Sequence, residues 1–333
     1  MGIAYTSLDT TKLSTAEIYA HTLCEMARED PRIVTLTADL AKSTKIGVFQ
    51  EQFPERFVNL GIAEQNLFGV AAGMAACGLI PFTCTFAIFN SCRGLDQVHT
   101  DICYQNLNVK MIGSHAGTSF GQAGSTHHAL EDIAILRSLA NLTLLVPADG
   151  QETAAAVRAA AAMQGPVYIR INRGFDQVVY HEGIDGFQIG RANQLRDGSD
   201  LCFIACGSAV FSALQAAREL EAEGIRARVL DMHTIKPLDE EAVLKAVHDT
   251  RRVITAEDHS VIGGLGGAVA EVIAGSGMGC AFLRLGVQDR FSPIGYHEDL
   301  MSLHGIDTNG LIETARALLK KDFEADDDWA DEV

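Results

Sequence analysis

The 333-residue chain is short of positive charge: 26 Lys and Arg stand against 43 Asp and Glu, a formal net charge of −17. Such a field repels the phosphate backbones of nucleic acids and acidic membrane surfaces, so neither is an expected partner. No uninterrupted apolar run reaches membrane length, and residues 1–10 carry neither a basic start nor an apolar stretch of the secretory kind. The eight cysteines form no Cys-x-x-Cys pair, and several lie inside apolar runs, as Cys202 and Cys206 do. That predicts buried, reduced thiols and a cytoplasmic protein. No internal repeat is visible. What the chain has is apolar material, 47% of its residues, which excludes a largely disordered polypeptide. Its length predicts about two domains.

Periodicity predicts a helix over 15–29 with Ile18, Leu23 and Met26 on one face, then a β-branched strand over 33–37. A strand at 57–60, a small-residue helix over 64–78, a strand over 80–86, a helix over about 94–106 and a strand over 109–113 follow. Strand, Ala-rich helix and strand over 142–171 continue the alternation, which is that of a parallel sheet covered by helices. Gly and Asp then cluster between 181 and 198, where a boundary is expected, and a second strand–helix alternation begins at Leu201. The expected organisation is an N-terminal extension (1–12), an α/β domain (13–180), a linker (181–195), a second α/β domain (196–320) and an acidic, disordered tail (321–333).

Several residues could carry chemistry, each with a plainer alternative. Glu64 opens a helix that follows a strand, where a carboxylate faces the crevice in which α/β sheets place ligands, or simply serves the helix dipole. Phe86 and Phe89 close a buried strand and could be core or a stacking surface. Asp39 could turn the chain. His127 lies in a Gly-rich loop, and the His127-His128 pair lacks a third metal ligand at usable spacing. Arg173, near a strand end, could fork to a phosphate or make a surface ion pair. The run Gly263-Gly264-Leu265-Gly266-Gly267 lacks the Lys-Ser/Thr of a phosphate loop, which favours close packing or a subunit contact.

Gly61-Ile62-Ala63-Glu64-Gln65-Asn66, with the Gly73–Phe89 stretch behind it, resembles the pyrimidine-binding domain of transketolases, which use thiamine diphosphate. Thr37-Ala38-Asp39-Leu40, the stretch from Gly121 to Arg137, and the Glu257–Gly267 stretch extend the resemblance over about residues 13–320. The fold this implies is two parallel-sheet, three-layer α/β domains, the pyrimidine-binding domain followed by the transketolase C-terminal domain. By the same resemblance Glu64 bonds the aminopyrimidine ring nitrogen and promotes deprotonation of the thiazolium, while Asp39, Leu40, Phe86 and Phe89 surround the cofactor. His127 contacts the donor sugar and helps proton transfer. Ser43, His115 and Arg173 match acceptor-phosphate ligands. Three positions depart from the family pattern: Ala16 replaces a phosphate arginine, Cys92 an aromatic residue and Ala123 an aspartate that reads a substrate hydroxyl, which points to a substrate outside the pentose phosphate set.

The family also needs Mg²⁺ or Ca²⁺ and a Gly-Asp-Gly motif for the diphosphate, and this sequence has no Gly-Asp-Gly. The resemblance therefore implies the C-terminal subunit of a split transketolase. It would be active only with a separate subunit that holds diphosphate and metal, in an α₂β₂ assembly acting on a ketose and an aldose, both phosphorylated. Three rival readings stand beside it: a 1-deoxyxylulose-5-phosphate synthase-like chain, the β subunit of a 2-oxoacid dehydrogenase, and a non-catalytic regulatory subunit.

Overall fold

The structure, a computed structural model, describes residues 4–174 and 176–320. The acidic tail expected over 321–333 lies outside the described residues. Helix α1 (Thr15–Glu29) starts at a capping box, with the Ser14 side chain accepting from the Glu17 backbone N–H and the Glu17 carboxylate accepting from the Ser14 backbone N–H. The chain continues through β1 (Ile33–Thr37), α2 (Gly47–Gln52), β2 (Phe57–Asn59), α3 (Glu64–Ala76), β3 (Ile80–Phe86), a short α4 (Leu95–Gln97), β4 (Lys110–Ser114), α5 (Asp132–Arg137), β5 (Thr143–Leu145), α6 (Gly150–Ala162) and β6 (Val167–Arg170). The second half runs β7 (Asn193–Arg196), β8 (Leu201–Ala205), α7 (Ala209–Glu221), β9 (Ala227–Asp231), β10 (Thr234–Lys236), α8 (Glu240–Thr250), β11 (Arg252–Ser260), α9 (Leu265–Ser276), β12 (Ala281–Val287), α10 (His297–Leu303) and α11 (Thr308–Leu319). Among the described residues no helix is long and apolar enough to cross a membrane.

Two sheets result, ordered β10-β5-β6-β4-β3-β1-β2 and β12-β11-β8-β9-β7. The inner strands β1, β3, β4 and β6 are buried along their whole length, as strands covered on both faces must be. One apolar core, including Tyr19, Leu23, Phe49, Phe82 and Val157, lies under α1 and α6. On the other face, Leu67, Phe68, Ile102 and Met111 are continuous with Ile204, Met232, Val247 and Leu265 of the second half, so the two sheets share a core.

The parallel α/β architecture matches the sequence reading, with three differences. Each sheet carries an antiparallel edge strand: β7 on β9, and β10, which comes from the second half of the chain yet pairs with β5 of the first sheet. Strand β7 begins at Asn193, inside the stretch expected as a linker. The helix expected over 94–106 starts instead at Ala87 and is π-wound over Phe89–Arg93 and Val98–Cys103. Asn90 donates to the carbonyls of Phe86 and Ile112, and the Ser91 hydroxyl bonds the Ala87 and Ile88 carbonyls, side-chain bonds of the kind that open a helical turn.

Candidate active site

The carboxyl ends of β1, β2, β3, β4 and β6 all point to one edge of the first sheet, and the chemistry-bearing side chains gather there, as expected for parallel α/β sheets. Glu64 begins α3 without capping it: the N-cap Ala63 has no side-chain bond, and the Glu64 carboxylate turns toward β3. It is 1% exposed, accepts from Thr85 Oγ1 at 3.4 Å, and takes Arg93 Nη1 at 2.9 and 2.8 Å on its two oxygens. Behind it runs a buried polar thread. The Ser114 hydroxyl donates to the Thr85 carbonyl at 3.4 Å and lies 3.0 Å from His115 Nδ1.

Five rings close around this thread. His115 stacks on Phe86 with centroids 4.1 Å apart, and Phe120 meets His115 edge-on at 5.0 Å. His127 stands 5.6 Å from Phe89, 5.8 Å from Phe120 and 6.1 Å from Phe86. Phe86 is only 5% exposed and one face is covered by His115, whereas Phe89 is half-buried with the Arg93 guanidinium 3.8 Å above its ring. Phe89 stacks on Phe86 at 5.6 Å, so the outer aromatic face of the group is that of Phe89, and the Arg93 guanidinium covers it.

Beyond the rings opens a cavity of about 570 Å³ lined by Ser14, Glu17, Lys42, Ser43, Lys45, His115, Phe120, Arg173 and Gly174. Ser43, His115 and Arg173, predicted as a set, thus face one space. Three cations, Lys42, Lys45 and Arg173, against one carboxylate, Glu17, give it a positive lining that suits an anion. Arg173 lies 4.9 Å over Phe120, and Lys45 is 3.6 Å from Glu17. Burial, then the charges of Arg173 and His127, push the His115 imidazole down to about 3, so it faces the cavity as a neutral hydrogen-bonding group. Asp39, Lys45 and His115 hold left-handed φ values of 60°, 63° and 59°, the local strain that functional loops store.

Asp39 and Leu40 do not line this cavity. They sit at the end of β1, where Asn59 accepts from the Asp39 backbone and donates to its carboxylate at 3.1 Å. Ala16 is fully buried in the core below α1 and turns away from the cavity its neighbours Ser14 and Glu17 border. Cys92 is exposed beside Arg93. His128 is buried with Nε2 3.3 Å from the Gly121 carbonyl. Among the described residues no group of three or more His, Cys, Asp or Glu could hold a metal ion.

The second half of the chain grips the loop that carries Phe120 and His127. Asp258 accepts from the Thr118 backbone and hydroxyl at 2.9 and 3.0 Å, and His297 Nδ1 lies 3.0 Å from the same hydroxyl. Ser125 donates to the Ser292 carbonyl, and the Gly295 N–H to the Gly121 carbonyl. Gly117, at φ +55°, is required here, since a Cβ would run into Asp258. The Gly263–Gly267 run is no phosphate cradle: Glu257 takes the backbone N–H groups of Leu265 and Gly266 at 2.7 and 2.8 Å, and a Cβ at Gly264 would overlap its carboxylate.

Residues 11–175 match the family model of the transketolase pyrimidine binding domain, and residues 190–311 that of the transketolase C-terminal domain. The chain belongs to the transketolase family. It is similar to one of the subunits of the apulose-4-phosphate transketolase of Phocaeicola vulgatus, with 39% identity covering 91% of this chain and 96% of that one. The 6-deoxy-6-sulfo-D-fructose transketolase subunit SqwH of Clostridium sp. (strain MSTE9) is 41% identical, over 92% of this chain and 94% of its own. Among solved structures, a split gene transketolase described as an inactive β4 tetramer superposes with a TM-score of 0.83 at 43% identity, covering 92% and 98% of the two chains. These relatives make this a subunit of the split transketolase kind, and the family implies use of thiamine diphosphate.

Sequence reasoning did not single out four residues of this transketolase-family site: Phe120, Lys42, Lys45 and Arg93. Lys42 and Lys45 flank Ser43, so the charge around a predicted phosphate ligand was a usable signal. Phe120 and Arg93 reach the site only through folding of their loop and their π-wound turn.

Proposed function

We propose that this chain is the pyrimidine-binding subunit of a two-polypeptide transketolase that moves a two-carbon ketol unit from a ketose to an aldose, with a separate subunit holding the diphosphate and its Mg²⁺ or Ca²⁺. The observation that carries the proposal is Glu64, a buried carboxylate beside the outer face of Phe89, joined through Thr85 and Ser114 to His115 on the wall of a cationic cavity. That donor set fits an aminopyrimidine: a carboxylate for a ring nitrogen and a flat apolar face for the ring. The thiamine cofactor, when bound, supplies the electron sink for the ketol carbanion. Glu64 holds the pyrimidine, Phe89 supports it with Phe86 behind, and Asp39 and Leu40 complete the surround at the end of β1. His127 moves a proton at the substrate hydroxyl. Lys42, Ser43, Lys45 and Arg173 bind the substrate's terminal anion, with neutral His115 directing it by hydrogen bonds.

The partner requirement is supported by the lack of Gly-Asp-Gly in the sequence and by the names of both relatives, each of which is one subunit of its transketolase. The description of the β4 relative as inactive points the same way. The names of the two relatives give one a sugar phosphate and the other a sugar sulfonate, and a cluster of three cations suits either anion. The test is reconstitution of this chain with a Gly-Asp-Gly-bearing subunit, followed by assay of ketol transfer from phosphorylated and sulfonated ketoses. Transfer requires both chains and thiamine diphosphate, and Glu64→Gln lowers kcat at least roughly a hundredfold. Undiminished transfer by E64Q, or pyruvate consumption with CO₂ release instead of ketol transfer, overturns the proposal.

A further inference from the structure

The Glu64–Arg93 pair satisfies in advance both contacts that the proposed cofactor ring would need. A guanidinium is flat and delocalised, and that of Arg93 lies 3.8 Å over the Phe89 ring while donating to both Glu64 oxygens. It covers the face and uses the carboxylate that suit an aminopyrimidine. A ring stacked on Phe89 and bonded to Glu64 cannot share that space with the guanidinium. We infer that Arg93 is a placeholder: it occupies the pyrimidine seat in the free subunit, keeps the buried Glu64 charge paired, and swings out when the cofactor enters. The inference rests on the assignment of Glu64 and Phe89 to the pyrimidine.

The surroundings favour movement of the side chain over movement of the backbone. The π-wound turn is pinned by Asn90 and Ser91, and Gly94 is packed so tightly on Phe68 that a Cβ there would overlap its ring. The Arg93 side chain, by contrast, is 43% exposed and donates to no group other than Glu64 among the hydrogen bonds of the described residues. An unpaired carboxylate buried at 1% exposure would be costly, so the latch stabilises the empty subunit and opposes cofactor binding by the same interaction. Those two effects have opposite signs, and a merely structural arginine does not produce both.

The experiment compares wild type, Arg93→Lys and Arg93→Met. Thermal unfolding is followed for the full chain without cofactor, and thiamine diphosphate binding by calorimetry for each chain in complex with the diphosphate-binding subunit. The expected result is a lower Tm for R93M in the free chain together with a Kd for thiamine diphosphate roughly tenfold or more tighter, the size of a lost charge-assisted hydrogen bond. R93K, which keeps the charge but loses the flat guanidinium over Phe89, falls between the two. Unchanged or weaker cofactor binding by both variants, with wild type binding normally, overturns the placeholder and leaves the proposed function standing. Failure of the wild-type complex to bind thiamine diphosphate overturns both.

Discussion

Burial at the cavity floor, with Arg173 and His127 adding positive charge, holds the His115 imidazole near 3 against an ordinary 6.5. The unfolded chain then binds a proton here that the folded chain refuses, so stability is full above pH 6.5 and is lost as pH falls toward 3. The slope from this one group approaches about 1.4 kcal/mol per pH unit. His115→Gln removes that titration, and its Tm between about pH 7 and 4 is expected to fall less steeply than that of wild type by differential scanning fluorimetry. An equally steep fall would show that His115 takes up its proton while folded. Residue types such as Glu64 and His127 were legible because their motifs carry them. The neutrality of His115 was not, since it comes from Phe86, Phe120 and Arg173, which reach it from β3, from the loop after β4 and from the end of β6.

Element by element, periodicity located α1, α3, α6 and the inner strands, because their apolar residues repeat at helical spacing or run unbroken through a buried sheet. It failed at Phe89–Arg93, where Asn90 and Ser91 read as loop formers yet serve as buried anchors of a wide turn. How elements are tied together was also invisible. Arg170, at the end of β6, donates to Asp132 of α5 at 2.9 Å and to the carbonyls of Ala129 and Asp258 at 2.9 Å each. It binds the site loop, α5 and β11 at once. Arg170→Met leaves Asp132 buried and unpaired, with an expected loss of about 3–5 kcal/mol in chemical denaturation and a loosened His127 loop. A loss below about 1 kcal/mol would show that Tyr168, which also donates to Asp132, suffices.

At the scale of the whole molecule, the two halves meet over a pair of buried carboxyls. Glu152 of α6 and Asp231 of β9 converge on the Tyr180 hydroxyl, 3.4 and 2.6 Å away, with Asn193 donating to both Glu152 and Tyr180. Burial, above all, pushes Asp231 up to about 7, and burial together with the Asp231 charge raises Glu152 well above its ordinary value. The folded protein binds protons that the unfolded chain releases near 4, so the stability Asp231 contributes is full below that pH and gone once pH passes 7. Asp231→Asn, which keeps the Tyr180 bond without the charge, is expected to flatten the decline of Tm between about pH 5 and 8, measured by calorimetry. A decline as steep as wild type would place the pH dependence elsewhere. Nothing in either stretch of sequence shows that these carboxyls meet, because 78 positions separate Glu152 from Asp231.

Strand β10 spans three residues, too few for any periodicity to show, and it completes the first sheet from the second half of the chain. A scission near residue 190 would therefore not release two finished bodies. The N-terminal fragment would keep β5 as a bare border, its amides and carbonyls open to the border of another fragment, and the C-terminal fragment would trail a strand with no sheet to join. The interlock thus resists a division of this chain at that point. Whatever evolves or is engineered in the cationic pocket must be inherited together with the domain that stands beside it.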